Sequence, residues 1–239
     1  MTSDINQNTK TKQVEAMFND IAPKYDFLNH FLSLGIDKTW RRKVIRRIIK
    51  DKPSLVLDIA TGTADLAIML AKKSTEVKIT GVDLAENMIE IGRKKVENLN
   101  LSNRITLQQG DSLLLPFSNN TFDSAMVAFG VRNYEDPVKG MSETYRVLRE
   151  KGKFYVLEFS MPRKFPMAQL YKFYFRFILP LIGRVVSGNS MAYTYLPDSV
   201  HAFPDGQNFI DLMEKAGFKS CKYKKLSFGI ATIYEGVKE

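Results

Sequence analysis

From Leu55 onward, short β-rich runs alternate with segments of helical periodicity, and this alternation limits the fold more than any other feature. The runs that predict strands are LVLDIA (55–60), KITGVDLA (78–85), ITLQQGD (105–111), FDSAMVAFG (122–130) and KFYVLEFS (153–160). Helical patterns near 65–73, 86–98 and 137–149 fit between several of them. Such alternation predicts an α/β fold with a doubly wound, mostly parallel sheet.

The C-terminal end departs from this alternation. CKYKKLSFG (221–229) and IATIYEGVKE (230–239) have no helix between them, so we expect two strands that pair antiparallel at one edge. The predicted sheet therefore has seven strands, mostly parallel with one antiparallel edge strand. This Rossmann-like form resembles the sheet that class I S-adenosylmethionine-dependent methyltransferases share.

The length and composition predict one domain over residues 1–239. The chain has 239 residues, 44% of them hydrophobic, which is enough for one well-packed core. Within it we expect a flexible polar tail at 1–12, a helical cap at 13–50 and an insertion at 161–204. A single cysteine, Cys221, and the lack of an apolar run at 1–12 indicate a cytoplasmic protein without a disulfide.

The stretch DIATGTADLA (58–67) lies between a predicted strand and a helix, where α/β sheets bind ligands. Dinucleotide sites use three glycines so that the backbone can approach a pyrophosphate, whereas only Gly62 remains here. S-adenosylmethionine has no phosphate, so one close backbone approach at Gly62 and Thr63 suffices. The turn therefore favours S-adenosylmethionine as the cofactor.

Acidic residues follow three successive predicted strands. Asp83 ends the second strand about twenty residues beyond the glycine turn, where a carboxylate can accept from both ribose hydroxyls. Asp111 ends the third strand, where it can read an adenine amino group. Together with Asp58 these acids predict a nucleoside site, although Asp58 and Asp111 could instead only cap the turns that follow their strands.

The fourth predicted strand ends in AFGVRNYED (128–136). Enzymes that methylate base amino groups resemble one another in an acidic or amide residue followed by Pro-Pro-aromatic, which is missing here. Arg132 and Asn133 stand instead where a substrate should meet the methyl group. The alternative for Arg132 is a surface ion pair with Glu135 or Asp136.

Several stretches together resemble the ubiquinone/menaquinone biosynthesis C-methyltransferase family. They are YDFLNHFLSLGIDKTW (25–40), DIATGTADLA, GDSLLLPF (110–117), FGVRN (129–133), RVLREKGKFYVLEFS (146–160) and YTYLPDSVHAFP (193–204). The resemblance covers nearly the whole chain after residue 13. It implies methyl transfer from S-adenosylmethionine to a ring carbon of a polyprenylated quinol, such as demethylmenaquinol or a ubiquinone precursor.

The resemblance also assigns residues by position. It implies that Thr63, Asp83, Asp111 and Ser112 contact the cofactor. Ala64 stands where the family usually has glycine, which is tolerable if its φ angle is negative. Asp37 replaces a histidine and so removes a candidate base.

Carbon methylation requires a phenolate, because the ionised oxygen pushes electron density onto the neighbouring ring carbon. A phenol ionises near pH ~10, so the site needs a base or a fixed positive charge. Arg132 is our candidate for stabilising the phenolate, acting directly or through a water. We expect Asn133 and Tyr25 to orient the quinol oxygens and Asp26 to hold the N-terminal helix over the cofactor; no metal site is expected.

The segment Met161–Pro197 contains five Lys or Arg, eight Phe or Tyr, and no Asp or Glu. No run in it reaches the roughly twenty apolar residues of a membrane-spanning helix. We expect it to lie on an anionic membrane surface, peripherally at the inner face, and to receive the prenyl tail there. The alternative is a lid or a homodimer interface whose aromatic residues are buried.

Two further hypotheses remain, and the net charge of +9 fits the first of them. A basic RNA methyltransferase would use the same cofactor and bind phosphates electrostatically, but the Pro-Pro-aromatic residues and an appended RNA-binding module are missing. We therefore expect no nucleic acid partner. A non-enzymatic membrane-surface scaffold would have no reason to keep Asp83, Asp111 and Arg132 at strand ends.

Overall fold

One mixed sheet organises the chain, of which the computed structural model describes residues 3–33, 35–174, 177 and 191–239. Its strands are β1 Leu55–Ile59, β2 Lys78–Asp83, β3 Ile105–Gln109, β4 Phe122–Ala128, β5 Leu148–Phe159, β6 Lys219–Leu226 and β7 Ala231–Val237. Their order across the sheet is β3-β2-β1-β4-β5-β7-β6.

Helices flank the sheet on both faces. They are α1 Ser3–Leu32, α2 Ile36–Lys50, α3 Asp65–Ala71, α4 Glu86–Asn98, α5 Pro137–Val147, α6 Met167–Phe173, α7 Met191–Ala202 and α8 Gln207–Lys215. Short 3₁₀ turns occupy Val131–Asn133 and Ser227–Gly229. The predicted helices near 65–73, 86–98 and 137–149 correspond to α3, α4 and α5.

The predicted topology is confirmed. Strands β1 to β5 pair in parallel, while β7 runs antiparallel to both β5 and β6. The reversed strand thus lies one place in from the edge, because β7 inserts between β5 and β6. Strand β1 has β2 on one side and β4 on the other, and ligands of open α/β sheets bind at such a switch point.

Alternate side chains of the strands build two separate cores. Val56 and Tyr155 pack on one face with Trp40 of α2 and with α3 and α4. Leu57 and Val156, one position away, pack on the other face with α5 and α8. This alternation explains why the central strands are continuous apolar runs, since both of their faces are buried.

The described part of the predicted flexible tail at residues 1–12 belongs to α1, which begins at Ser3. Lys10 Nζ donates to the carbonyl oxygen of Tyr134 at 2.9 Å. Thr11 Oγ1 donates to Glu135 Oε2 at 2.6 Å. These contacts tie the start of the chain to the loop after β4, and a polar composition alone could not reveal them.

The insertion at 161–204 contains α6 and α7. Residues 175, 176 and 178–190 lie outside the described residues, so the middle of the predicted membrane-facing segment has no structural account. Among the helices that the structure does describe, none has the length and apolarity that crossing a bilayer requires.

Candidate functional site

A cleft lies at the carboxyl ends of β1 to β4 and is covered by α1. Its lining includes six of the ten predicted site residues: Tyr25, Gly62, Asp83, Asp111, Ser112 and Asn133. The other four, Asp26, Asp58, Thr63 and Arg132, are not among the lining residues. Among the described lining residues, four carry carboxylates (Glu15, Asp83, Asp111 and Glu135) and none is Lys, Arg or His.

Asp83 is held in a fixed orientation at the end of β2. Its Oδ2 accepts from the backbone N–H of Gly62 at 2.8 Å and its Oδ1 accepts from that of Ala85 at 3.0 Å. Burial raises the pKa of this carboxyl, while the two N–H donors oppose the rise. An ionised carboxylate has about four acceptor positions, so those that remain can accept from a ligand in the cleft.

The turn after β1 brings backbone close to the cleft. Gly62 has φ +56°, and a Cβ at this position would lie 3.8 Å from Cε1 of Tyr25. Ala64 has φ +66°, so the negative φ that would make an alanine readily tolerable here is not present. The left-handed conformation costs a residue with a Cβ roughly 1–2 kcal/mol. Ala64 therefore has a left-handed backbone conformation of the kind that glycine adopts without strain.

Asp58 lies within β1, is only 1% exposed, and faces the inside of the turn. Its Oδ2 accepts from Thr61 Oγ1 at 2.7 Å. Burial raises its pKa from 3.8 to about 7, against the lowering effect of the Thr61 hydrogen bond and of Arg41. This geometry matches the alternative that Asp58 braces the turn.

Asp111 and Ser112 follow β3, the strand next to β2, and line the cleft together with Asp83. Asp111 Oδ1 accepts from the backbone N–H of Leu113 at 2.8 Å. Asp111 therefore caps its own turn and also faces the cleft, so the two hypotheses for this residue are compatible.

Arg132 forms an ion pair that sequence reasoning did not identify. Its Nη1 lies 2.8 Å from Oε1 of Glu158, and the two side chains are 7% and 0% exposed. The same nitrogen donates to the carbonyl oxygen of Phe129. The alternative of a surface pair with Glu135 or Asp136 is thus wrong. The signal that could have found Glu158 is a lone acid in the apolar strand KFYVLEFS, because a buried carboxylate needs a partner.

Aromatic rings surround this ion pair. The Arg132 guanidinium carbon lies 5.5 Å from the ring centre of Phe159, which stacks on Phe129 at 4.4 Å between centroids. Tyr195 of α7 donates its hydroxyl to Asn133 Oδ1 at 3.0 Å. Asn133 therefore lines the cleft and also contacts an aromatic side chain of α7.

On the far side of the turn, Asp26 links α1 to the body of the protein. Thr63 Oγ1 donates to Asp26 Oδ1, and Lys95 Nζ donates to Asp26 Oδ2 at 2.8 Å. The Thr63 side chain therefore points away from the cleft, although the resemblance implies a cofactor contact. These contacts connect α1 to the turn and to α4, as the predicted role of Asp26 in holding the N-terminal helix requires.

Asp37, the departure from the family pattern, is buried at the start of α2. It accepts from Ser33 Oγ at 2.8 Å and lies 3.5 Å from Nε of Arg41. It lies outside the cleft lining and braces the entry into α2.

The sequence matches known methyltransferases over nearly its whole length. The profile of the ubiE/COQ5 methyltransferase family matches residues 6–238. A Porphyromonas gingivalis protein named demethylmenaquinone methyltransferase is 48% identical, over 96% of this chain and 94% of the relative. A Geobacter sulfurreducens protein named ubiquinone/menaquinone biosynthesis C-methyltransferase UbiE is 44% identical, over 96% of this chain and 90% of the relative.

A solved structure shares the fold. A Thermotoga maritima S-adenosylmethionine-dependent methyltransferase, described as a possible histamine N-methyltransferase, superimposes with a TM-score of 0.65 at 19% identity. The match covers 94% of this chain and 99% of that one. At this identity the likeness shows the fold alone, which is the predicted class I methyltransferase fold.

Proposed function

The chain belongs to the ubiE/COQ5 methyltransferase family and uses S-adenosylmethionine, and from this premise we propose that it methylates a ring carbon of a polyprenylated quinol, namely demethylmenaquinol. The observation that carries the proposal is the 48% identity, over nearly both full lengths, to a protein named demethylmenaquinone methyltransferase. A ubiquinone precursor is the second acceptor to test, because the Geobacter relative is named for both pathways.

The cleft fits the proposed cofactor. S-adenosylmethionine carries a sulfonium and an ammonium, and the described lining has carboxylates without a cationic side chain. Asp83 has free acceptor positions for a ribose diol, and the left-handed turn at Gly62 brings the backbone itself to the wall of the cleft. We assign Asp83, Asp111 and Ser112 to the nucleoside end and Gly62 to the methionine end. When bound, the cofactor supplies an electrophilic methyl group.

The acceptor needs a phenolate, and the chain offers Arg132 for its stabilisation. The buried pair with Glu158 modifies this role, because the carboxylate cancels much of the positive charge. Arg132 Nε is buried and has no hydrogen-bond partner among the described residues, so an acceptor oxygen or a water that reached it would satisfy this donor. In a buried, water-poor site, such a fixed donor stabilises developing negative charge most effectively.

Two further residues are suited to orient the quinol. Tyr25 on α1 and Asn133 after β4 both line the cleft. The Asn133 amide oxygen accepts from Tyr195, which leaves its NH₂ group to donate to a quinol oxygen. Asp26 holds α1, and therefore Tyr25, over the turn. Alignment of the ring carbon with the methyl group would supply the rest of the rate enhancement.

We also propose that the enzyme works peripherally on the inner face of the membrane. Phe165 and Phe228 are 81% and 82% exposed, and Leu170, Phe173 and Phe177 are also exposed. A Cβ at Gly229 would lie 3.5 Å from Cα of Pro162, so the segments that carry Phe165 and Phe228 are neighbours. A group of exposed apolar side chains of this kind is typical of an interaction site.

A homodimer that covers these side chains is the competing proposal. Co-sedimentation with liposomes separates the two: the membrane proposal predicts that Phe165→Ser with Phe228→Ser weakens binding to vesicles that contain anionic lipid. Leu99→Ser serves as the control, because Leu99 is exposed at the end of α4. Unchanged sedimentation together with loss of a dimer would support the interface between copies.

The acceptor is tested with radiolabelled S-adenosylmethionine under reducing conditions. The acceptors are demethylmenaquinol, a methoxy-benzoquinol precursor and bulk RNA. Label in a quinol supports the proposal and identifies the accepted ring. Label in RNA alone would overturn the quinol proposal and favour an RNA methyltransferase. Absence of cofactor binding would favour a scaffold.

A further inference from the structure

Lys95 of α4 joins three elements at the edge of the cofactor cleft. Its Nζ lies 2.8 Å from Oδ2 of Asp26 on α1, 3.2 Å from Oγ1 of Thr63 in the turn, and 2.5 Å from Oδ1 of Asp65 at the start of α3. We propose that Lys95 is a positioning residue that keeps α1 closed over the bound cofactor.

Helix α1 is the outer wall of the cleft. Its side chains Thr11, Val14, Glu15, Phe18 and Tyr25 are part of the lining. A cofactor in the cleft is therefore in contact with α1, and the affinity for the cofactor depends on how firmly α1 is held.

Among the side chains that the structure describes, the apolar cluster beneath α1 is small. It contains the buried residues Ala22, Ala85 and Met88, with Phe18, Ile21, Tyr25 and Ile91 packed against them. This cluster is separate from the two large cores that bury the sheet. Polar contacts of α1 therefore add to the closing free energy that this cluster supplies.

The polar contacts of α1 are distributed along its length. Thr11 donates to Glu135, and Asn19 accepts from the backbone N–H of Asn87 at 2.9 Å. The contact of Asp26 with Lys95 is an ion pair. This ion pair also contacts the turn that carries Gly62, because Thr63 Oγ1 donates to Asp26 and accepts from Lys95. Closure of α1 and the shape of the glycine turn are thus coupled through Lys95.

The test removes the Lys95 ammonium and measures cofactor binding directly, so it does not depend on the quinol acceptor. In Lys95→Met, we expect the Kd for S-adenosylmethionine, measured by titration calorimetry, to rise about fivefold, as suits a partly exposed charge network. The KM for S-adenosylmethionine should rise in parallel, while kcat at saturation changes less. Lys95→Arg should restore most of the affinity.

Arg93→Met is the matched control. Arg93 lies on the same helix and pairs with Glu86 and Glu90, away from α1. The substitution removes the same charge, so the general electrostatic effect on a cationic ligand is common to both variants. A fivefold rise in Kd in this control as well would overturn the proposal.

A double-mutant cycle with Asp26→Asn tests the route of the effect. If Lys95 acts by holding α1, Lys95→Met changes the Kd little once Asp26 is already Asn. Independent, additive effects would overturn the proposal. Thermal unfolding of the same samples tests whether Lys95 contributes only to stability, through its contact with Asp65. A lower Tm with a Kd within twofold of the parent would support that role and overturn the proposal.

Discussion

Arg132 and Glu158 form a nearly fully buried ion pair at the carboxyl ends of neighbouring strands, with 2.8 Å between Nη1 and Oε1. The pair lies beside Asn133, which faces the cofactor cleft. This position makes Arg132 both a structural partner and the candidate that stabilises the phenolate, and the two roles need separate tests.

Replacing Arg132 alone should mainly destabilise the protein. Arg132→Met leaves the Glu158 carboxylate buried without its cation, which costs about 3–5 kcal/mol. The double variant Arg132→Met with Glu158→Gln should recover most of this loss, because neither side chain is then charged. Urea denaturation of the three proteins measures the free energies of unfolding.

The same double variant isolates the catalytic role. We expect its turnover to fall by roughly 10²–10³, the cost of removing one preorganised donor, with the Kd for S-adenosylmethionine nearly unchanged. A stable double variant with ordinary turnover would contradict the role of Arg132. So would a loss of cofactor affinity equal to the loss of turnover.

Asp83→Asn should weaken cofactor binding strongly. The change removes the charged acceptor that we assign to the ribose hydroxyls, and hydrogen bonds to charged groups contribute about 1.5–3 kcal/mol, or roughly 10- to 100-fold in Kd. Asp123→Asn is the control, since Asp123 accepts from the N–H groups of Ser54 and Leu55 away from the cleft. That control should lose stability and keep cofactor affinity, whereas equal affinities in both variants would contradict the assignment.

The architecture could be predicted from the sequence, but the partners of buried charges could not. Period-two and helical patterns locate the strands because they record burial on each face. Glu158 and Lys95 escaped notice because their partners are distant in sequence and are brought together only by the fold. The sign of φ at Ala64 could not be predicted either, since the turn, and not the residue type, sets the backbone conformation there.

Ala64→Gly should cost less stability than Ala67→Gly. Both alanines are fully buried in the same core, so each variant loses a buried methyl group and gains the same freedom in the unfolded chain. Only Ala64 has a left-handed conformation, with φ +66°, and its relief should favour Ala64→Gly over Ala67→Gly by roughly 1–2 kcal/mol. Thermal and urea unfolding give both values, and equal losses in the two variants would show that Ala64 is not strained.

Asp58 should make stability depend on pH. Its pKa is raised from 3.8 to about 7 in the folded state, so the folded protein keeps this proton over a pH range in which the unfolded chain has lost it. The contribution of Asp58 to stability therefore falls as pH rises through this range. Asp58→Asn mimics the protonated form and removes the dependence.

The difference in unfolding free energy between Asp58→Asn and the parent should therefore grow in favour of the variant as pH rises from about 4 to 7. It should level off above that range, at no more than roughly 4 kcal/mol. Urea titrations across this range measure the difference, which cancels contributions from other groups. A difference independent of pH would show that Asp58 ionises normally.

The most direct test of the central claim is the chemical position of the transferred methyl group. Demethylmenaquinol is incubated with the enzyme and labelled S-adenosylmethionine, and the extracted product is oxidised in air and analysed by mass spectrometry. Carbon methylation leaves both oxygens free, so the account predicts a labelled product that oxidises to a quinone one methylene unit heavier than the starting quinone. A labelled product that resists this oxidation carries the methyl group on oxygen, and that result would contradict the account.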